Sequence, residues 1–211
     1  VDLGLARISV VFKATSREHR DAYAVLLREH PDVRFILEDD FARTSRRILG
    51  VTSGSRLQRL IKRRLFSEEL QTFVVDDTLF VRSFSLASVA SALASYPRAL
   101  GFSLRLGETI RFCQPLGRPS TPPMLVHRDG SGDDEIVAAE WVGKDPDWGY
   151  PLEISSSVYR RAQLASLLRQ VSFDSPSILE DALWKCRTAV EVSHPHLLCF
   201  RKPRAFSLPL N

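Results

Sequence analysis

Residues 8–12, Ile-Ser-Val-Val-Phe, form a short and nearly continuous apolar run, which is typical of a buried strand in a parallel sheet. Thr15 and Ser16 follow as N-cap candidates, and apolar residues then recur at helical spacing until Pro31 ends the pattern. Residues 33–37 are a second apolar run. Since a strand, a helix and a strand within about 30 residues match a βαβ crossover, the sequence predicts two parallel strands here.

The rest of the chain continues this alternation, which places the fold in the α/β class with a mixed, mainly parallel sheet flanked by helices. A length of 211 residues favours a single domain. The expected strands cover residues 72–75, 79–81, 102–106 and 136–141. The expected helices cover residues 42–70, 86–93, 157–170 and 178–190. Four prolines and the segment Asp129-Gly-Ser-Gly-Asp-Asp134 predict a long loop or insertion over residues 114–135.

Composition excludes some classes of function. The 29 basic and 25 acidic residues leave a net charge of +4, which suits a partner with a few negative charges and is too small to indicate nucleic-acid binding. The three cysteines are widely spaced, so the sequence predicts no disulfide framework and a reducing, cytoplasmic location. A basic stretch at residues 56–64 allows peripheral contact with the inner face of a membrane, although such a stretch is more often a solvated helix face.

An acidic pair follows the apolar strand in residues 73–82, Phe-Val-Val-Asp-Asp-Thr-Leu-Phe-Val-Arg. Ligands in open α/β sheets bind beyond the carboxyl ends of strands, which is where Asp76 and Asp77 are expected. Adjacent carboxylates repel unless a cation or hydrogen-bond donors share their charge, and a divalent ion carrying a diphosphate would do so. The alternative is a plain turn between two strands, where Asp is common.

A second acidic segment runs through residues 145–160 and contains Asp147 and Glu153. Either carboxylate could act as a general base toward a hydroxyl group. Trp148 and Tyr150 lie between them and could stack on a sugar face. The alternative is a loop that leads into a helix, with Glu153 solvated. Two other features favour structural roles: Trp141 and Trp184 are expected in the core, and the paired histidines at 194 and 196 in a loop.

These segments resemble a known family. VVDDTLFVRSFSL at residues 74–86 is similar to the strand and DxD-like acidic turn of bacterial glycosyltransferase-like proteins with a GT-A fold. Further blocks of the same group are similar to four other stretches of this chain: GFSLRLGETIRFC, DWGYPLEISSSVYR, FDSPSILEDAL and AFSLPLN. The similarity covers nearly the whole chain except the loop at 114–135. Residues 8–16 resemble the second strand of a GT-A fold, which implies a single domain whose first strand is missing and which also stops short at its C-terminus.

The resemblance implies a function and a set of site residues. The reaction would be transfer of a sugar from a nucleotide-sugar donor to a saccharide or other hydroxyl acceptor. Asp76 and Asp77 would meet a divalent cation, Mn²⁺ or Mg²⁺, and the nucleotide, with Thr78 at the third position of the motif. Asp147 and Glu153 would be the catalytic carboxylates on the acceptor side. The alternative is a non-catalytic relative that binds a nucleotide or carbohydrate, and the parent protein is expected to be a better enzyme than this fragment.

Overall fold

Strands and helices alternate over residues 9–48, as the sequence predicts, whereas the described strands between residues 99 and 160 follow one another without an α-helix between them. The computed structural model describes residues 6–51, 69–114, 116–144 and 147–207. In these ranges the α-helices are α1 (Arg17–Glu29), α2 (Phe41–Ile48), α3 (Leu86–Ser95), α4 (Arg161–Leu168) and α5 (Pro176–Lys185). The strands are β1 (Ser9–Phe12), β2 (Arg34–Leu37), β3 (Leu70–Thr72), β4 (Thr78–Phe80), β5 (Ala99–Ser103), β6 (Phe112–Cys113), β7 (Arg118–Pro119), β8 (Leu125–Asp129), β9 (Ile136–Glu140), β10 (Ser157–Arg160), β11 (His196–Phe200) and β12 (Ala205–Ser207).

The N-terminal segment forms the predicted βαβ unit. Strands β1 and β2 pair in parallel, with Ser9 opposite Arg34 and Phe12 opposite Leu37. The Ser16 side chain caps α1 by accepting a hydrogen bond from the backbone N–H of His19. The βαβ prediction is therefore confirmed, because apolar periodicity and the cap both act within this short segment.

A mixed sheet forms the centre of the fold. Among the described residues its strand order is β3-β10-β5-β11-β9-β8. β5 and β11 pair in parallel, whereas the other four neighbouring pairs are antiparallel. It follows that β3, β5, β11 and β8 run in one direction and that β9 and β10 run in the other. The prediction of a mixed sheet is confirmed. Within the described sheet, however, β5 and β11 are the only neighbouring strands that run in the same direction.

Helices cover both faces of the sheet. Side chains alternate along each strand, so that Leu197 and Cys199 of β11 enter one apolar cluster while Leu198 and Phe200 enter the other. Helices α4 and α5 supply their buried leucines to the first cluster, and α3 packs on the second. Gly101 of β5 allows the Tyr159 ring of β10 to pack directly against the β5 backbone, because a Cβ at position 101 would lie 2.7 Å from that ring.

Several boundaries differ from the sequence prediction. The helix expected at 42–70 ends at Ile48, and the strand expected at 102–106 lies at Ala99–Ser103. Residues 157–160 form strand β10 and only then does helix α4 begin, so the helix expected at 157–170 is too long at its start. The strand expected at 72–75 lies at Leu70–Thr72 instead. The loop expected at 114–135 contains β8, an edge strand of the central sheet, because Leu125–Asp129 pairs with β9. No helix in the described ranges is both long and apolar enough to cross a bilayer.

Candidate active site

The acidic turn lies where β3 has ended and β4 begins. Thr78 donates its backbone N–H to the carbonyl oxygen of Val75 at 3.1 Å, which closes the turn around the two acids. Asp76 is exposed, whereas Asp77 is partly buried. The buried Asp77 Oδ1 has no hydrogen-bond partner among the described residues. A turn does form, as the alternative reading expected, but it leaves a carboxylate oxygen buried and unsatisfied.

The structure brings the two acidic segments together. Thr78 Oγ1 donates a hydrogen bond of 2.9 Å to the carbonyl oxygen of Ser155 and lies 3.3 Å from Ser207 Oγ of β12. The Thr78 hydroxyl proton is therefore used to hold the acidic turn against the loop that contains Glu153. Thr78 was expected to contact the bound nucleotide or metal, and its observed contacts are to the protein.

Glu153 lies in a niche made by the three serines that follow it. The Glu153 side chain is only 2% exposed, so the alternative of a solvated Glu153 is wrong. Its Oε2 accepts backbone N–H groups from Ser155 and Ser156 at 2.5 and 3.0 Å, and its Oε1 accepts the Ser157 hydroxyl. These donors stabilise the buried negative charge. Both oxygens thus have partners within the protein, and the carboxylate fixes the shape of the loop.

Asp147 is held by an arginine. Arg105 Nη1 lies 3.1 Å from Asp147 Oδ1, and Arg105 Nη2 donates to the Asp147 carbonyl oxygen at 3.1 Å. Both side chains are largely buried, at 19% and 10% exposed. No donor in the described part of the chain reaches the buried Asp147 Oδ2. Burial, followed by the neighbouring Asp147 carboxylate, raises the pKa of the Cys113 thiol. Asp147 therefore has one oxygen fixed by Arg105 and one buried oxygen close to the Cys113 thiol.

A third carboxylate borders the Glu153 niche. Glu180 of α5 accepts the backbone N–H of Ile154 at 3.2 Å. Burial raises the pKa of Glu180, and the Glu153 carboxylate adds to the effect. Tyr159 donates its hydroxyl to the Glu153 carbonyl oxygen at 2.7 Å, and burial raises its pKa well above the ordinary value. The loop is therefore fixed from the sheet on one side and from α5 on the other.

The aromatic residues of the second segment have different positions. Trp148 is fully buried in the core next to α4 and α5, so it is not available to stack on a sugar face. Tyr150 is partly exposed, and its ring centroid lies 6.4 Å from that of Trp184. Trp141 is a core residue, as predicted, and donates its indole N–H to the carbonyl oxygen of His194.

The acidic turn is compatible with a divalent ion that takes most of its bonds from the phosphate oxygens of a bound ligand. No three His, Cys, Asp or Glu side chains of the described residues converge in a group that could hold a metal. Mg²⁺ commonly takes one or two carboxylates together with phosphate oxygens and water. The unsatisfied Asp77 Oδ1 and the exposed Asp76 fit that donor set. The basic stretch at 56–64 lies outside the described residues.

Sequence reasoning identified the two acidic segments but missed the residues that support them. Arg105 and Glu180 carry no local signal, because each reaches the site from another element of the fold. His196 was assigned to a loop, whereas it opens the buried strand β11 and lies 3.2 Å from the Tyr96 hydroxyl through Nδ1. The apolar run from Leu197 to Phe200 was the available signal for that strand.

Comparison with known proteins gives one distant relative. No family model matches the chain, and no solved structure matches it. Over 168 residues, or 78% of its length, the chain is 25% identical to a protein described as the bifunctional glycosyltransferase pgtA of Dictyostelium discoideum. The matched region spans 20% of that protein. This similarity supports a glycosyltransferase-like chain, and the chain corresponds to about a fifth of its relative.

Proposed function

We propose that this chain belongs to a glycosyltransferase that transfers a sugar from a nucleotide-sugar donor to a hydroxyl group, with a GT-A-like core. The observation that supports it best is the hydrogen bond from Thr78 to Ser155, because it joins the acidic turn to the loop of the second acidic segment. Donor and acceptor must meet within bonding distance, so a transferase needs its two sets of functional groups side by side.

Asp76 and Asp77 form the donor side of the proposed site. Asp77 has a buried oxygen without a partner in the described chain, and a bound cation would satisfy it. Asp76 is exposed beside it and is available to the same ion. A divalent cation, Mg²⁺ or Mn²⁺, would neutralise charge on the leaving diphosphate. In the proposed site Thr78 acts by positioning the turn.

Asp147 and Glu153 form the acceptor side, with different roles. Arg105 keeps one oxygen of Asp147 in place, and the other, Oδ2, is buried without a hydrogen-bond partner among the described residues, so it would accept the proton of an acceptor hydroxyl once the surrounding loop opens to admit the acceptor. Glu153 accepts hydrogen bonds at both oxygens and therefore orders the loop. Asp147 is the general base in this proposal, and Glu153 is the residue that positions the acceptor side.

Thermal-shift measurements with a panel of UDP- and GDP-sugars, with and without Mn²⁺, test the donor side. We expect a metal-dependent rise in melting temperature with at least one donor, lost in Asp77→Asn and retained in the exposed control Asp32→Asn. No shift with any donor would contradict the proposal. Donor hydrolysis or transfer by the wild type, lost in Asp147→Asn, then separates an enzyme from a non-catalytic binder.

A further inference from the structure

An aromatic cavity lies beside the candidate site. It measures about 510 Å³ and is bordered by Tyr150, Trp184 and Trp141. That volume lies within the range of about 300–1,000 Å³ that is usual for small-molecule sites. Tyr150 belongs to the same segment as Asp147 and Glu153, so one wall of the cavity is built by the loop of the acceptor side.

Helix α5 connects the cavity to the Glu153 niche. Glu180 faces the niche and accepts the Ile154 N–H, whereas its neighbour Asp181 borders the cavity. Because Glu180 and Asp181 are consecutive residues of α5, a ligand in the cavity would lie on the helix that also borders the Glu153 niche. This position is suited to the part of an acceptor that does not react.

The cavity wall is a stack of planar groups. The Arg187 guanidinium lies 3.7 Å from the centre of the Trp184 ring and donates to the Trp184 carbonyl oxygen at 3.0 Å. The Tyr150 ring lies 6.4 Å from the Trp184 ring, and the two planes differ by 31°. Burial raises the pKa of Tyr150 to about 12, so its phenol remains a neutral hydrogen-bond donor. Aromatic faces next to guanidinium donors match the alternating C–H faces and hydroxyl groups of a sugar ring.

Charge around the cavity is balanced. Two cations, Lys144 and Arg187, and two anions, Asp181 and Glu191, border it. Lys144 lies 3.1 Å from Glu140, and Asp181 lies 2.6 Å from Lys185, so one charge of each sign is already neutralised within the protein. A nucleotide diphosphate would favour an excess of positive charge, which this cavity does not offer.

We infer that the Tyr150–Trp184 cavity binds a neutral saccharide, as the docking site for the non-reacting part of the acceptor. This inference rests on the proposed function, because it assigns the acceptor to the carbohydrate class. It can be tested separately from the proposed function, because saccharide binding in the cavity requires neither the cation nor the donor.

Saturation-transfer NMR with lactose, N-acetyllactosamine, cellotriose and maltotriose, in the absence of donor and metal, tests the inference. We expect saturation transfer to at least one of these sugars. Trp184→Ala should weaken binding by about tenfold or more, as loss of one ring contact plus its guanidinium partner would predict. Trp184→Phe should retain part of the affinity, and Phe112→Ala, which removes an exposed ring elsewhere, should have no effect.

Two results would overturn the inference. One is no saturation transfer from the wild type to any of the four sugars at millimolar concentration. The other is a Trp184-dependent signal from UMP or UDP with none from the sugars, which would assign the cavity to a nucleotide base. Asp77→Asn should leave saccharide binding intact, so a failure of the donor test and a failure of the saccharide test are separate outcomes.

Discussion

Thr78 and Ser155 lie 77 positions apart in the sequence, and the Thr78 hydroxyl donates a 2.9 Å hydrogen bond to the Ser155 carbonyl oxygen. This bond joins the turn that contains Asp76 and Asp77 to the loop that Glu153 orders. Ser207 of strand β12 also contacts the Thr78 hydroxyl, since the two residues are paired across β4 and β12. The Thr78 hydroxyl is therefore one of the contacts that fix the relative position of the two acidic segments, and it is the one that holds the acidic turn itself.

Replacing Thr78 by Val should reduce both stability and donor binding. Valine keeps the shape of threonine but leaves the Ser155 carbonyl without its hydroxyl partner, which costs about 1 kcal/mol of unfolding free energy. The larger effect should be on donor binding, because the acidic turn loses its fixed position. Urea unfolding measures the first effect and the thermal shift with donor and Mn²⁺ measures the second.

Thr72→Val is the matched control. Thr72 donates an equivalent hydrogen bond of 3.0 Å to the carbonyl oxygen of Ser157, two residues further along the same segment, but it lies in β3 before the acidic turn. We expect a similar loss of stability without loss of donor binding. Equal donor affinity in both variants would show that Thr78 has only a structural role.

Much of the fold can be predicted from the sequence because many of its elements are locally specified. The N-terminal βαβ unit follows from apolar periodicity and from the Ser16 cap, and the helix expected at 178–190 overlaps α5, which begins at Pro176. The central strand β11 was not predicted, because the histidines at 194 and 196 were interpreted as part of a loop. Strand β10 was absorbed into a predicted helix, because Ser157–Arg160 is short and runs directly into α4.

The candidate site is predictable in part for the same reason. Adjacent acids after an apolar strand are visible in the sequence, and so are acids in a loop with Gly and Pro. What the sequence does not show is which distant residue meets each acid. Arg105 meets Asp147 across 42 positions, and only the packing of the sheet defines that pair. The burial of Trp148 was also hidden, since a Trp in a Gly- and Pro-containing loop has the pattern of an exposed ligand platform.

Asp77→Asn should stabilise the metal-free protein while weakening its response to metal. A buried carboxylate oxygen without a partner in the described chain costs free energy, and an amide at the same position costs less because it carries no charge. We therefore expect a higher melting temperature without metal and a smaller rise with Mn²⁺ and donor. Asp76→Asn should change stability less, since Asp76 is exposed. Differential scanning fluorimetry of both variants checks this, and a destabilised Asp77→Asn without metal would contradict it.

Arg105 and Asp147 should show strong coupling in a double-mutant cycle. Arg105→Met leaves the largely buried Asp147 carboxylate without its cation, and breaking such a pair from one side costs about 3–5 kcal/mol. Adding Asp147→Asn removes the uncompensated charge and should restore most of the stability. Chemical denaturation of the two single variants and the double variant gives the coupling energy. Additive losses would show that the two side chains act independently.

Glu180 should make the protein less stable as the pH rises from acid to neutral. Because burial raises its pKa above the ordinary value of 4.5, the folded protein holds this proton more tightly than the unfolded chain does. Stability from this group is therefore fully present below the unfolded pKa and is lost as the pH rises through the folded pKa. Glu180→Gln keeps an oxygen to accept the Ile154 N–H but cannot ionise.

The variant and the wild type should consequently be about equally stable below the ordinary pKa, where Glu180 is protonated in both folded and unfolded states. As the pH rises toward neutrality, Glu180→Gln should become progressively more stable than the wild type. Urea unfolding over the range from acid to neutral pH measures the difference, and the acid end serves as the internal control. A wild type that becomes more stable than Glu180→Gln as the pH rises would show that the Ile154 N–H and the positive charge of Arg105 outweigh the effect of burial and of the Glu153 carboxylate.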